Sequence, residues 1–145
     1  MKIVLQRVKH CVVSINGDST GRIGKGVLIL LGIDKKDSFS EADFLAEKCA
    51  SLRIFPDAQD KMNLSLIEVG GGAMVVSQFT LFGDCGKGRR PSFVQAAGPE
   101  KGKLLYEYFV KQIKKHIANV ETGIFGAMMN VELVNDGPVT LVLEK

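Results

Sequence analysis

Ser77-Gln78-Phe79-Thr80-Leu81 ends an apolar run with two hydroxyls and a carboxamide inside four positions. At a strand tip such groups can converge on a ligand, or they can bond local backbone as a cap. A hydroxyl becomes a nucleophile only beside a base, and no base stands near Thr80 in the sequence. A second segment, Asn135-Asp136-Gly137-Pro138-Val139-Thr140, places a proline between two strand-like patterns. Proline cannot donate a ladder bond, so this segment reads as a hairpin turn or as a break in a sheet edge. A cis Gly–Pro bond is open there too. The third segment, Lys87-Gly88-Arg89-Arg90-Pro91-Ser92-Phe93, gathers three cations in a glycine-rich stretch. These cations suit phosphate binding, or they form a solvated charged loop.

Other apparent chemistry is weaker. Gly21-Arg-Ile-Gly-Lys-Gly26 and Gly83-Asp-Cys-Gly-Lys-Gly88 look like phosphate loops, but neither has the required spacing and neither lysine is followed by Ser or Thr. Gly70-Gly71-Gly72 precedes a strand, whereas a dinucleotide-binding loop follows one. Cys85 with His10 or His116 would make a nucleophile and base, yet no local signature supports the pair. His116 falls at a helix end, where its charge favours the dipole. Two histidines about a hundred residues apart, with no clustered carboxylates, leave no metal site. Neither metal nor cofactor is therefore expected.

The hydrophobic pattern predicts the elements that must position these residues. Ile3, Leu5 and Arg7 alternate with Val4, Gln6 and Val8 as in a strand. Val12 to Ile15, then Asn16-Gly17, then Gly21 to Ile23 reads as a hairpin. Val27 to Ile33 is a buried strand. Ser38 and Glu41 form a capping box before a helix with Ala42, Leu45, Ala46, Cys49 and Leu52 on one face. Leu52 to Phe55 reads as a short strand ended by Pro56-Asp57, and 57–64 as loop. Residues 70–72 turn into a strand over 73–78, and 83–98 is a long polar loop. Pro99 opens a second helix that reaches about His116, with Leu105, Tyr108, Phe109 and Ile113 inward. Residues 131–134 and 139–143 are strands. The order predicts one α+β domain over 1–145, with a mostly antiparallel or mixed sheet and two main helices.

Composition agrees. A chain of 145 residues suits one domain and can bury about two-thirds of its unfolded surface without a metal or disulfide staple. The longest apolar run, Val27 to Leu31, is strand-sized, so no membrane partner is expected. The N-terminus has no signal-peptide core, which points to the cytoplasm. Three cysteines, Cys11, Cys49 and Cys85, lack metal-ligand spacing. They read as small core residues in a reducing compartment. The net charge of +3 permits a nucleic-acid partner without demanding one.

Taken together, Ser77 to Leu81 and Asn135 to Thr140 resemble the two signature motifs of the D-aminoacyl-tRNA deacylases. Leu52-Arg-Ile-Phe55, Lys61-Met-Asn-Leu-Ser-Leu66, Arg90-Pro-Ser-Phe93, Thr122-Gly-Ile-Phe-Gly-Ala127 and the Gln6-Arg7-Val8 opening also match, in the family's order. The chain departs from it at Met128, where an acidic residue is common, at Phe82, where tyrosine is, and in the second arginine, Arg89. The resemblance implies a barrel-like homodimer with its active site at the subunit interface. It implies hydrolysis of the ester of D-aminoacyl-tRNA, D-tyrosyl-tRNA for example, without a cofactor or metal, and clearance of glycyl-tRNA as well.

By the same resemblance Ser77, Gln78, Phe79 and Thr80 would line the catalytic pocket. Gly137 and Pro138, with a cis bond between them and with Arg7 and Asn135 beside them, would face the chiral centre in the partner's pocket. Lys87, Arg89 and Arg90 would hold tRNA phosphates. No DNA partner is expected. A non-catalytic tRNA-binding module is the alternative from another class.

Overall fold

The computed structural model describes residues 1–145. Strand β1 (Lys2–Ile15) is the spine of the molecule. Its first half pairs antiparallel with β3 (Gly26–Gly32), its second half with β2 (Asp18–Ile23), and its other edge with β8 (Asn130–Glu144). The predicted hairpin joins β1 to β2. Asn16 at φ 52° and Gly17 at φ 93° supply the positive angles that its two-residue turn needs. Beyond β3 the sheet becomes parallel, through β6 (Gly72–Ser77) to β7 (Val120–Thr122). β2 and β7, the ends of this path, meet without a ladder, so the mixed sheet nearly closes into a barrel.

Alternation along the strands fills two cores. Ile3 and Leu5 of β1, Val27, Ile29 and Leu31 of β3, and Ala73 and Val75 of β6 face the helices. Val8, Cys11, Val13, Leu28, Met74 and Val76 pack on the opposite face. Ile3 and Cys11 share parity yet face opposite ways. The reason is a bulge: Val8 pairs with Asn135 and His10 with Val134, leaving Lys9 unpaired and reversing every side chain after it.

Helix α1 (Phe39–Ser51) starts where the capping box predicts. The Ser38 Oγ accepts from the Ser40 N–H at 3.3 Å, and the Glu41 carboxylate accepts the Ser38 N–H at 2.7 Å. Bonds from the Ser38 hydroxyl and amide hold the Glu41 carboxyl down at about 2. The helix buries Ala42, Leu45, Ala46, Cys49 and Ala50, while Leu52 caps its C-terminus. Helix α2 (Pro99–Ile113) lies against α1. It turns Tyr106 inward where Tyr108 was predicted: the Tyr106 hydroxyl reaches the Val75 carbonyl at 2.9 Å, and Tyr108 stays half-buried against Phe39. Neither helix is long and apolar enough to cross a membrane.

Four further expectations need correction. The strand predicted over 52–55 shrinks to β4 (Phe55–Pro56), which includes the proline and pairs with β5 (Met62–Leu64) in a segment read as loop. β7 has no counterpart in the prediction. Cys85 is exposed, while Cys11 and Cys49 are buried, where desolvation pushes their thiols up to about 11 and about 12. Residues 135–140 form no hairpin, because β8 runs through them.

Candidate active site

β6 is apolar through Val76 and delivers Ser77 at its C-terminal end. The Gln78 N–H donates to the Leu31 carbonyl at 2.8 Å, which pins the strand tip to β3 before a 3₁₀ turn over Phe79–Phe82. Ser77, Gln78, Phe79 and Thr80 therefore come together on one wall of a cavity of about 770 Å³. Leu31, Ile33, Phe93, Ala96, Ala97, Phe125, Met128, Met129 and Val131 complete much of the rest. Phe79 is 57% exposed and meets Phe93 edge to face, with ring centroids 5.1 Å apart.

No histidine, cysteine, lysine, arginine or carboxylate lines this cavity. Its polar equipment is the Ser77 and Thr80 hydroxyls, the Gln78 amide and local backbone. The Gln78 Nε2 donates to the Thr80 Oγ1. A carboxamide nitrogen donor cannot take up a proton, so this contact orients the Thr80 hydroxyl without activating it as a nucleophile. Cys85, His10 and His116 all lie outside the lining. No group of three His, Cys, Asp or Glu side chains is placed to hold a metal ion.

The second signature segment is built differently. Val8 pairs with Asn135 and Gln6 with Thr140, so Arg7 alone stands opposite Asp136, Gly137, Pro138 and Val139. The four residues bow out of β8, and the Gly137–Pro138 peptide is cis. Asn135 replaces the lost ladder bonds: its Nδ2 donates to the Arg7 carbonyl at 2.9 Å and to the Val139 carbonyl at 3.1 Å. The Arg7 side chain, only 10% exposed, donates through Nε to the Asp136 carbonyl and lies 3.2 Å from the Asp136 carboxylate. Its Nη1 donates to the Ile54 carbonyl, anchoring the bow to the segment before β4. Gly137 and Pro138 are exposed and do not border the cavity of their own protomer.

The third segment is a loop closed by reciprocal Asp84–Ser92 backbone bonds of 2.8 and 2.9 Å. Lys87, Arg89 and Arg90 stand exposed within it, and the loop returns through Phe93 to the cavity wall. The sequence singled out Ser77 to Thr80, which share one cavity wall, but not Leu31, Ile33, Ala96, Ala97, Met129 and Val131 of its apolar walls. Those residues carry no chemical signal. Of the wall residues, Phe93, Phe125, Gly126 and Ala127 lie in stretches that resemble the family, and Met128 is a noted departure from it.

Comparison with known proteins bears on this geometry. The family model described as D-Tyr-tRNA(Tyr) deacylase matches residues 4–144. A D-aminoacyl-tRNA deacylase of Syntrophobacter fumaroxidans is 58% identical over 144 residues, covering 99% of this chain and 97% of its own. One from Pelobacter propionicus is 55% identical over the full length of both. Among solved structures, the c-Myc DNA Unwinding Element Binding Protein superposes with a TM-score of 0.95 at 36% identity, covering 100% of this chain and 99% of that one. A probable eukaryotic D-amino acid tRNA deacylase shares the fold, with a TM-score of 0.81 at 19% identity over 98% of this chain and 97% of its own.

Proposed function

The chain belongs to the D-Tyr-tRNA(Tyr) deacylase family, and from that premise we propose how its residues divide the work of hydrolysing a D-aminoacyl-tRNA ester. The observation that carries the proposal is the cavity itself: hydroxyl, amide and backbone groups on one wall, apolar walls elsewhere, and no ionisable side chain. In this reading the aminoacyl ester lies against Ser77 to Thr80 and water attacks its carbonyl. The Phe79 and Thr80 N–H groups open the 3₁₀ turn, and the first N–H groups of a helical turn have no partner within it. Those amides stabilise the oxyanion, and a ribose hydroxyl of the substrate assists the attack.

Chirality requires a second part. D and L esters carry the same groups, so attraction to the side chain cannot separate them, whereas a wall on one side of Cα can. Ten-thousand-fold rejection needs about 5.5 kcal/mol, more than a methylene-sized difference in a pocket supplies. The bow at Gly137–Pro138 is exposed, braced by Arg7 and Asn135, and does not border its own cavity. It is suited to closing the cavity of a second copy in a homodimer. Glycine has no side chain to exclude, so glycyl-tRNA would be hydrolysed too.

The deciding measurement is hydrolysis of D-tyrosyl-tRNA and L-tyrosyl-tRNA with EDTA present, beside a Cys85→Ala variant. The expected result is cleavage of the D ester alone, at the same rate in both proteins. Loss of activity in Cys85→Ala would transfer the chemistry to a thiol. Binding of tRNA without any cleavage would favour a binding module.

The exposed loop cations serve phosphate contact in this reading. Arg89→Gln with Arg90→Gln is expected to weaken binding of different tRNAs about equally and to flatten the salt dependence of log K by about 2. Nitrocellulose binding over a salt series reads both effects. A loss confined to one tRNA would mean that the arginines read sequence identity.

A further inference from the structure

We infer that a second groove, beside α2, is the track along which the phosphates at the acceptor end of the tRNA leave the active-site cavity. The inference rests on the deacylase reading and extends it from the ester to the body of the substrate. The groove, about 610 Å³, runs between α2 and the segment after β7. Lys103, Lys111 and Lys114 line it with Glu107, over a floor that includes Ile124 and Phe125.

Three observations distinguish it from an ordinary solvated helix face. The four charged residues fall at intervals of four, four and three, so they form one ridge along α2 and its C-cap. Their charges do not balance. Three ammonium groups face one carboxylate, and that carboxylate already stands 3.8 Å from Lys103. Finally, the groove adjoins the cavity. Phe125 lines both, and Gly102 of the cavity wall immediately precedes Lys103 of the groove. A substrate held by its terminal ester against Ser77 to Thr80 therefore finds a cationic exit beside it.

The dimensions suit a nucleotide strand. Lys114 follows Lys103 by eleven positions, a helical rise of about 16 Å. That length spans about five phosphates at the rise of a stacked strand. Ile124 is 54% exposed, and it leaves apolar surface between the lysines on which a ribose or base can rest. The loop of Lys87, Arg89 and Arg90 joins the cavity through Phe93 instead, so the two cationic surfaces are separate parts of one footprint.

The test compares two esters, D-tyrosyl-tRNA and D-tyrosyl-adenosine, which has no phosphate. Its readout is the ratio of their kcat/KM values in the wild type and in a Lys103→Gln/Lys111→Gln/Lys114→Gln variant. At moderate salt the ratio is expected to fall about 10- to 100-fold, chiefly through KM for the tRNA, and its salt dependence to flatten by about 2 to 3. Glu107→Gln should move the ratio the other way. All four side chains are exposed, so thermal unfolding should stay close to wild type. An unchanged ratio, or equal losses on both esters, overturns the groove assignment while leaving the deacylase reading in place. A wild type that cleaves neither ester overturns that reading and this inference with it.

Discussion

Gly137→Ala is expected to lower kcat/KM for D-tyrosyl-tRNA by about 100-fold and to narrow the gap between D and L esters. Gly137 sits at φ +115°, a backbone region that residues with a Cβ rarely enter. A methyl group there would stand 2.5 Å from the Arg7 Nη2 and 3.1 Å from the Val139 Cγ2. Arg7 cannot swing aside cheaply. It is almost fully buried and donates to both Ile54 and Asp136, and a buried guanidinium stripped of those acceptors would be uncompensated. The bow must move instead, and a shift of about 1 Å in a group that positions substrate can cost about 100-fold. Single-turnover hydrolysis of both stereoisomers reads the result. Wild-type rates on the D ester, with the L ester still refused, would mean that the bow takes no part in discrimination.

Gly26→Ala is expected to be the most damaging substitution for folding. Gly26 of β3 and Gly72 of β6 are register partners in the parallel ladder. A Cβ on Gly26 would overlap the Gly72 carbonyl oxygen and lie 2.7 and 2.8 Å from its carbon and nitrogen. The obstacle is backbone in a buried strand, so no rotamer relieves it. We expect a loss of about 4–5 kcal/mol or more, a large share of the roughly 5–15 kcal/mol that holds an ordinary domain together. Gly24→Ala is the control, since nothing lies within 4 Å of the Cβ it would add. Urea midpoints of the two variants should differ widely. Similar midpoints would show that β3 and β6 part without cost.

Which features could be read from the sequence follows from their physical range. The Asn16-Gly17 hairpin, the Ser38–Glu41 capping box and the buried stripe of α1 depend on residues a few positions apart, and they stand where the pattern put them. On α2, Tyr106 lies on the buried face with Gly102, Leu105, Phe109 and Ile113 and bonds the Val75 carbonyl, whereas Tyr108 lies off that face, a difference of one step in a short stripe. β4, β5 and β7 are two or three residues long, too short for any periodicity. Gly26 sat in what resembled a failed phosphate loop because its purpose, room for Gly72, lies 46 residues away (72 − 26). The polar tip at Ser77 to Thr80 was visible as a cluster. Its apolar walls were not, because alanine, methionine and isoleucine look alike in a core and around a substrate.

The lining of the cavity also determines what can disable it. Reagents that acylate an activated serine, alkylate a catalytic thiolate or modify an imidazole need a group made nucleophilic by its surroundings. This cavity presents none. The one exposed thiol, Cys85, lies outside it, so alkylating agents would label the protein without silencing it. If the proposed division of work holds, inhibition would have to come from shape: a stable ester mimic filling the apolar walls, or a wedge that keeps the Gly137–Pro138 bow from seating. Resistance to such a compound would arise at the wall-forming residues, where methionine, alanine and isoleucine can exchange volume without touching the reacting atoms.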